Sequence, residues 1–565
     1  MPFSDSGKSD VMLKKIHSEA EELIFGIIGK EDIQFQDSRG EYGDFATNIC
    51  FSIAGKFKKS PQKIAQEIVG KVTLPKGSMI SRIESQNGFI NFFINYNKAT
   101  ELLIEEIKEK GADFGRGYLK GKIILEHTSA NPDGPLHIGH GRNAIIGDSL
   151  ARVMSFAGYD VERQYYLNDM GKQLAVVVYG LERFPIDKQK KKDHAIAEIY
   201  IKANKLYEES DEVKDTVSKL IIDYEAEKDE VVSKFEYAAR FCLEGINETL
   251  SKLYIKHDII TWESQFVRSG LVNKVLSELV ATEYVKNDEK AIYLDLKEFG
   301  IEKELVLRRS DGTLLYATRD LAHHLWKSSR GKVIDIWGAD HKLLARQISV
   351  ALELLSAPEP EFVIYEFITL PEGSMSTRRG VFISVDELIK ESINRAYEEV
   401  NRRRPDESEE FKNRVAEKVG IGALRFNIVK IAPEKSMIFR WEEALDFDRL
   451  GAPSIQYAYA RARRILEQSE PEENFEVPEL NEYEKALVKE IMKFPFIVEN
   501  SAISKKPNIF ANYLAGLTDS FHKFYMFTPV LKSEFKNFRL NLVLAFTVVI
   551  KKGLELLGIE APERM

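Results

Sequence analysis

The sequence predicts an α/β fold: a Rossmann-like, doubly wound parallel sheet, preceded by a small N-terminal α+β domain and followed by a C-terminal all-α helical bundle. Three observations support this prediction. Short β-branched runs alternate with helical segments after about Lys120, which is typical of parallel sheets. Residues 88–94 are β-rich and open at a glycine. After about Val385 nearly every segment has helical periodicity, interrupted by prolines.

The elements of the sheet can be assigned in chain order. The runs that we predict as its strands are residues 123–125, 161–166, 333–337 and 362–367. A charged stretch with helical periodicity, residues 172–303, lies between the second and third run and ends near a strand-like segment at 291–296. We interpret it as an insertion between two halves of the sheet. The predicted domains are residues 1–118, 119–384 with this insertion, and 385–565.

Composition excludes several classes of protein. The chain has 565 residues, 44% of them hydrophobic and 30% charged, and no apolar run reaches the roughly twenty residues that cross a bilayer. No membrane partner is therefore expected. The net charge of −9 argues against indiscriminate binding to polyanions. Cys50 and Cys242 provide neither a disulfide framework nor a metal site, and the N-terminus lacks a secretion signal, so a reducing cytoplasm is expected.

The most informative motif is Pro-Leu-His-Ile-Gly-His at residues 135–140. It follows an apolar run and precedes a helical segment, so His137, Gly139 and His140 lie on a strand-to-helix turn. Backbone N–H groups and the positive end of a helix dipole favour polyphosphates at such a turn. The motif therefore predicts a nucleotide site. The alternative is a tight turn with two surface histidines.

A second motif lies at residues 373–380, Gly-Ser-Met-Ser-Thr-Arg-Arg-Gly. Glycines at both ends indicate a mobile loop, and Arg378 and Arg379 offer fixed forks of donors for phosphate oxygens. A loop of this kind could stabilise charge that develops at the α-phosphorus of a triphosphate. Taken alone, the pattern also fits a solvated turn.

The order of the two motifs, more than two hundred residues apart, resembles that of class I aminoacyl-tRNA synthetases. The flanking residues narrow the resemblance to arginyl-tRNA synthetases, over nearly the whole chain. The matching segments of the central domain are residues 126–131, 166–173, 262–265, 316–320 and 338–341. Residues 42–48 and 88–92 resemble the family's N-terminal additional domain, and residues 455–461 resemble its helical anticodon-binding domain.

The resemblance implies a set of site residues. The residues implied to bind arginine are Glu126, Ser129, Asn131, Glu263, Tyr316, Asp320 and Asp340. Those implied to bind ATP are His137, Gly139, His140, His341, Met375 and Ser376. We expect His137, His140, Arg378 and Arg379 to serve catalysis, and we assign no protein ligand to a metal. The residues implied to contact tRNA are Phe89, Asn91, Tyr457, Tyr459, Arg461 and Arg464.

Side-chain chemistry agrees with these roles, although each residue has a simpler alternative. Carboxylates and a ring face suit a planar guanidinium, which points to Glu263, Asp320 and Tyr316. Helical spacing puts Tyr457, Arg461 and Arg464 on one face. The alternatives are ordinary surface carboxylates, a plain sheet strand at residues 89–93, core packing for the tyrosines, and solvated arginines. The basic clusters at residues 56–63, 402–404 and 461–464 can likewise be solvated helix faces.

The resemblance implies a two-step reaction for a cytoplasmic monomer. The carboxylate of L-arginine attacks the α-phosphorus of ATP, with Mg²⁺ on the phosphates, and the 2′-hydroxyl of the terminal ribose of tRNA(Arg) then attacks the adenylate. No protein nucleophile is needed. A guanidinium pocket should reject lysine and citrulline without editing.

The signature loop departs from the family's pattern. Ser374 and Thr377 stand where the family usually has lysines, so Arg378 and Arg379 are our candidates for the missing charge. This departure favours one alternative, a catalytically silent paralogue. Another, a class I ligase for cysteine or glutamate, is opposed by Glu263 with Asp320.

Overall fold

The computed structural model describes residues 12–38, 42–288, 291–309, 316–369, 383–445 and 451–565. Within these ranges the chain forms an N-terminal unit, a central α/β unit and a C-terminal helical unit. None of the described helices is long and apolar enough to cross a membrane.

The N-terminal unit packs helices against a four-stranded antiparallel sheet of order β1-β2-β4-β3. Its elements are α1 (Met12–Ile28), β1 (Phe35–Asp37), β2 (Phe45–Thr47), α2 (Ile49–Phe57), α3 (Pro61–Lys71), β3 (Ile80–Gln86), β4 (Phe89–Ile94) and α4 (Tyr96–Lys110). Phe45 and Phe92 stack on its core face with ring centroids 4.9 Å apart. The alternation of β4 puts Phe92 in this core, as the period of a half-buried strand requires.

The central unit is built on a five-stranded parallel sheet of order β12-β11-β5-β6-β7. Its first half comprises β5 (Lys122–Glu126), α5 (Ile138–Phe156), β6 (Asp160–Leu167), α6 (Lys172–Leu181), α7 (Lys192–Glu209), α8 (Asp211–Glu225), α9 (Asp229–Lys252) and β7 (Ile259–Trp262). The second half comprises α10 (Glu263–Arg268), α11 (Leu271–Val280), β8 (Val285–Asp288), β9 (Ala291–Leu294), β10 (Leu305–Arg309), α12 (Tyr316–Ser328), β11 (Lys332–Gly338), α13 (Lys342–Leu354), β12 (Glu361–Tyr365) and β13 (Ile368–Thr369).

The structure confirms the predicted parallel sheet. The strands at its edges differ from the prediction. The stretch predicted to be helical contains β7, which pairs with β6 as the fifth strand. Four residues are too few to show a period against the helices around them. The stretch also contributes β8 and β9 to a separate antiparallel sheet with β10. The predicted last strand ends at Tyr365 because the Glu366 N–H turns to the carbonyl of Pro433.

The C-terminal unit is almost entirely helical. It contains α14 (Val385–Arg403), α15 (Glu409–Val429), β14 (Met437–Ile438), α16 (Trp441–Ala444), α17 (Ala452–Gln468), α18 (Glu482–Ser504), α19 (Pro507–Phe527) and α20 (Lys536–Leu556). β14 pairs in parallel with β13, which ties this unit to the exit of the central sheet.

Helix α5 joins the central unit to the helical unit. Asp148 on α5 accepts a hydrogen bond of 2.5 Å from Arg425 on α15, and neither side chain is exposed. The same guanidinium donates to the carbonyl of Leu557, at the end of α20. Gly147 lets α5 approach β5 closely, because a Cβ there would lie 2.4 Å from the side chain of His127.

We expect Asp148→Asn to destabilise the protein by about 3–5 kcal/mol, because it leaves the Arg425 cation buried without an anionic partner. Thermal and denaturant unfolding measure the loss. Asp519→Asn is the matched control, since its exposed pair with Lys523 should be worth less than about 1 kcal/mol. Equal unfolding midpoints for Asp148→Asn and the unaltered protein would contradict the role given to this pair.

Candidate active site

The candidate site lies at the carboxyl ends of β5 and β11, where the strand order reverses. Strands β6 and β7 follow β5 on one side, whereas β11 and β12 lie on the other. Ligands of open α/β sheets bind in the crevice formed at such a switch point. Of the sequence-predicted residues, Glu126 is the last residue of β5, and Ser129 and His137 follow it.

His137 and His140 form the start of α5. His137 is the N-cap, and its Nδ1 accepts hydrogen bonds from the N–H groups of Gly139 (3.1 Å) and His140 (3.2 Å). The two rings stack with centroids 3.6 Å apart. Burial lowers the pKa of His137, and burial together with the His137 ring lowers that of His140 to about 3. Both imidazoles are therefore neutral at pH 7 and can serve as hydrogen-bonding groups but not as cations.

A strained turn leads from β5 toward this motif. Thr128 and Ser129 have φ of +72° and +40°, a left-handed conformation that costs side-chain-bearing residues energy. Asn143 on α5 holds the turn, because its Oδ1 accepts from the Thr128 N–H (2.6 Å) while its Nδ2 donates to the Ile336 carbonyl (2.7 Å). The turn directs the Ser129 hydroxyl to Glu126 at 3.0 Å.

Glu263 and Asp320 provide the acidic part of the site. Glu263 is 2% exposed and accepts a 2.7 Å hydrogen bond from Arg319. Burial raises the pKa of Glu263 to about 7, although Arg319 opposes the shift. Burial, and then the carboxyls of Glu263 and Glu126, raise the pKa of Asp320 well above its ordinary range. Both neighbouring carboxyls disfavour the ionised form of Asp320, so a nearby cation would favour it.

A cluster of buried charged side chains contacts the site through Glu126. Lys327 Nζ donates to Glu126 (2.6 Å) and to Asp335 (2.7 Å), and His324 Nε2 lies 2.8 Å from Asp335. Burial alone would lower the pKa of Lys327, yet the two carboxylates raise it above its ordinary value. The cluster fixes the position of Glu126 at the end of β5.

The other sequence-predicted residues have different partners or lie outside the described ranges. Asn131 donates to Gln173 at 2.7 Å. Asp340 and His341 are exposed and lie 3.5 Å from each other. The side chain of Tyr316 and the loop residues Ser374, Met375, Ser376, Thr377, Arg378 and Arg379 lie outside the described part of the chain.

Two residues predicted to contact tRNA are buried. Tyr459 is 1% exposed and Asn91 is 5% exposed. Helical spacing alone could not show that Tyr459 turns into the core of the bundle, and Asn91 lies on a covered strand. Both side chains are therefore shielded from solvent in this structure, and their contact with tRNA stays a prediction. Phe89 is half-buried beside the exposed ring of Phe51, with centroids 5.3 Å apart.

A cavity of about 830 Å³ lies in the helical unit. Its lining includes Tyr457, Arg461, Arg464, Tyr525 and the C-terminal residue Met565. The Arg461 guanidinium lies over the rings of Tyr457 (4.7 Å) and Tyr525 (4.4 Å) and donates to the Tyr457 hydroxyl. Aromatic rings and arginine side chains in one cavity suit an unpaired nucleic-acid base.

Sequence reasoning missed three residues that organise the site: Asn143, Arg319 and Lys327. Arg319 lies next to Asp320 in a motif that the sequence identified. Its hydrogen bond to Glu263 could not be predicted from the sequence. Lys327 lies seven residues after Asp320 on α12 and therefore shares its face. For Asn143 no local signal existed, because both of its partners are backbone groups on other elements.

Comparisons with known proteins agree with this architecture. The family model described as tRNA synthetases class I (R), catalytic domain, matches residues 104–441. The model of the DALR anticodon binding domain matches residues 455–565, and that of the arginyl tRNA synthetase N terminal domain matches residues 10–94.

Individual relatives cover almost the whole chain. The arginine–tRNA ligase of Methanocaldococcus jannaschii is 51% identical over 540 residues, which cover 93% of this chain and 94% of the relative. That of Methanothermobacter thermautotrophicus is 45% identical over 575 residues, with coverage of 98% and 100%. Among solved structures, the arginyl-tRNA synthetase of Thermus thermophilus matches with a TM-score of 0.83 and 27% identity, covering 98% of this chain and 100% of that one.

Proposed function

The chain belongs to the class I arginyl-tRNA synthetase family and catalyses arginine–tRNA ligation, and from this premise we propose how its residues divide the work. ATP, L-arginine and tRNA(Arg) are its substrates. A relative that is 51% identical is an arginine–tRNA ligase. This similarity argues against the two alternatives, a ligase for cysteine or glutamate and a catalytically silent paralogue.

We propose that Glu263 and Asp320 bind the guanidinium of arginine, with the Tyr316 ring against it. This assignment rests on two carboxyls in one site: Glu263 is buried, Asp320 is half-buried, and repulsion from Glu263 raises the pKa of Asp320. A planar cation between them would relieve that repulsion and supply hydrogen bonds to both. Glu126, Ser129 and Asn131, at the end of β5, would receive the amino and carboxylate groups. Asp340 is exposed, and its proposed contact with arginine rests on the family resemblance.

For the first step we propose that α5 holds ATP through Gly139 and neutral His137 and His140. The Nδ1 of His140 is buried, with no hydrogen-bond partner among the described residues, so a ligand could engage it. A carboxylate oxygen of arginine then attacks the α-phosphorus, and pyrophosphate leaves. Positioning and hydrogen bonds supply the rate, because no covalent enzyme intermediate is required. His341, Met375 and Ser376 are also proposed to contact ATP.

Magnesium is proposed to enter as a component of the ATP substrate. Among the described residues, the group of His, Cys, Asp and Glu side chains close enough to share an ion is Asp193, His194 and Asp386. Lys191 Nζ already donates to Asp193 (2.8 Å) and Asp386 (2.7 Å), so a cation fills that group. The described residues therefore do not fit a resident metal. Phosphate oxygens are the ligands that Mg²⁺ prefers at such sites.

In the second step the 2′-hydroxyl of the terminal ribose attacks the adenylate and arginine is transferred to tRNA. We propose that the cavity with Tyr457, Arg461 and Arg464 receives an anticodon base, since rings and cations converge there. Phe89 is proposed to contact another part of the tRNA. That the enzyme works as a monomer in the cytoplasm stays a prediction, which sedimentation and cell fractionation can check.

Arginine binding should weaken as the pH falls through 7. Glu263, with a pKa of about 7, is protonated below that value, and a protonated acid cannot pair with the guanidinium. We expect the half-saturating arginine concentration to rise about tenfold per pH unit below 7 and to level off above it, while that of ATP does not follow. Arginine-dependent pyrophosphate exchange between pH 5.5 and 8 measures both. A half-saturating arginine concentration that does not change with pH would refute the assignment of Glu263. In Glu263→Gln this concentration should no longer rise through titration of residue 263.

Replacing both Arg378 and Arg379 with alanine should slow adenylate formation by about a hundredfold to a thousandfold, because charge developing on the phosphates loses its donors. Pyrophosphate exchange with tRNA(Arg) present is the measurement, and the half-saturating arginine concentration should stay constant. The double lysine variant separates charge from guanidinium geometry. Unchanged exchange in the alanine variant would mean that another cation supplies the charge.

Tyr457→Ala and Arg461→Ala should each raise the KM for tRNA(Arg) by about tenfold to a hundredfold, the value of one base-stacking contact. Aminoacylation at fixed salt concentration checks this, and the arginine KM should not change. Lys523→Ala, which removes an exposed cation of the same unit, is the control and should have little effect. Equal losses in all three variants would point to general electrostatics and against a base pocket.

A further inference from the structure

Glu263 already has a guanidinium partner within the chain. Arg319 Nη1 donates to Glu263 Oε1 at 2.7 Å, and the two side chains are 7% and 2% exposed. The residue proposed to select a guanidinium substrate is therefore held by a guanidinium of the protein itself. Because Arg319 precedes Asp320 on α12, one helix carries both this partner and the second acidic residue.

Arg319 is in turn held by the region between β6 and β7. Its Nη2 donates to Glu225 Oε1 at 3.1 Å, at the last residue of α8. The preceding residue, Tyr224, donates its hydroxyl to Asp169 at 2.6 Å, and the other oxygen of Asp169 accepts from the Ser264 N–H at 2.9 Å. Two chains of hydrogen bonds therefore start at the end of α8. One leads through Arg319 to Glu263, and the other leads through Asp169 to Ser264.

Electrostatics explain why such a partner is required. Glu263 lies out of water with other carboxyls nearby, and both conditions favour its protonated form. An ionised carboxylate persists in such surroundings when a cation is hydrogen-bonded to it. Arg319 provides that cation, and its planar fork also limits the rotamers open to Glu263.

We propose that Arg319 is a positioning residue for arginine selection: it keeps Glu263 ionised and oriented, and α8, through Glu225, fixes Arg319. The helices between β6 and β7 therefore contribute to amino-acid selection without touching the substrate. The inference rests on the proposed assignment of Glu263 to the guanidinium of arginine.

The ionisable groups around Glu263 come from several elements. They are Arg319 and Asp320 on α12, Tyr166 on β6, Asp169 after β6, and, beyond Arg319, Glu225 on α8. Glu126 and Lys327 act on the neighbouring Asp320, in opposite directions. Of these, Arg319 is the cation bonded to Glu263, so its removal should raise the pKa of that carboxyl further.

The experiment compares Arg319→Gln, Arg319→Lys and Glu225→Gln by arginine-dependent pyrophosphate exchange from pH 6 to 8.5. At pH 7 we expect Arg319→Gln to raise the half-saturating arginine concentration about tenfold to a hundredfold, the value of a charged hydrogen bond. The pH midpoint of arginine binding should move up by about one unit or more, so alkaline pH partly restores binding. ATP half-saturation should not change. Arg319→Lys and Glu225→Gln should show smaller shifts in the same direction.

Arg330→Gln is the matched control. Arg330 follows the other end of α12, about 16 Å from Arg319 along the helix axis, and pairs with Glu162 at 2.8 Å. It should leave the arginine profile unchanged. A merely structural role for Arg319 would lower the melting temperature without moving the pH midpoint, and that result overturns the proposal.

Glu225→Gln keeps the proposal falsifiable if Arg319→Gln does not fold, because Glu225 is one-third exposed and its loss leaves Arg319 paired with Glu263. In that case an unchanged arginine profile in Glu225→Gln overturns the proposal. Failure of the proposed function gives a different result. In that case Glu263→Gln and the unaltered enzyme would have the same half-saturating arginine concentration.

Discussion

The burial of α5 is the constraint on which the rest of the structure depends. Nearly every residue from Gly141 onward is shielded from water, including Arg142, Asn143 and Asp148. A buried polar side chain needs an internal partner, and each of these three finds one on a different part of the chain. Asn143 holds the turn after β5, and Asp148 holds α15. The requirement to satisfy buried polar groups therefore fixes the site and the unit interface together.

Arg142 shows how far this constraint reaches. Its guanidinium is fully buried and pairs with backbone carbonyls, donating to Glu366 (2.6 Å) and Phe367 (3.1 Å) on one side and to Lys435 (2.7 Å) on the other. Burial lowers its pKa to about 10, so it stays charged. On the other side of the second motif, the Val385 N–H donates to the Leu136 carbonyl at 2.7 Å. Hydrogen bonds thus hold the described residues on both sides of the second motif next to residues 136–142, at the first motif.

Three carboxyls of the site have a cation of the protein hydrogen-bonded to them. Lys327 pairs with both Glu126 and Asp335, and Arg319 pairs with Glu263. Asp320 receives no such bond among the described residues, and its pKa is the most strongly raised of the acidic groups here. A cationic substrate would complete the pattern. The imidazoles of His137 and His140 are neutral, so these two side chains can offer hydrogen bonds but not positive charge.

The sequence by itself determined the order of the units, the parallel sheet and the strand-to-helix turn at residues 135–140. These features depend on local periodicity and on residues close together along the chain, such as His137, which caps α5. It also indicated the carboxyls Glu263 and Asp320, through short flanking motifs. Only the tertiary structure decided the short edge strand β7, the burial of Tyr459 and Asn91, and the partners Arg319, Lys327 and Asn143. Those depend on contacts between residues far apart in sequence, where packing and charge compensation act without leaving a local pattern.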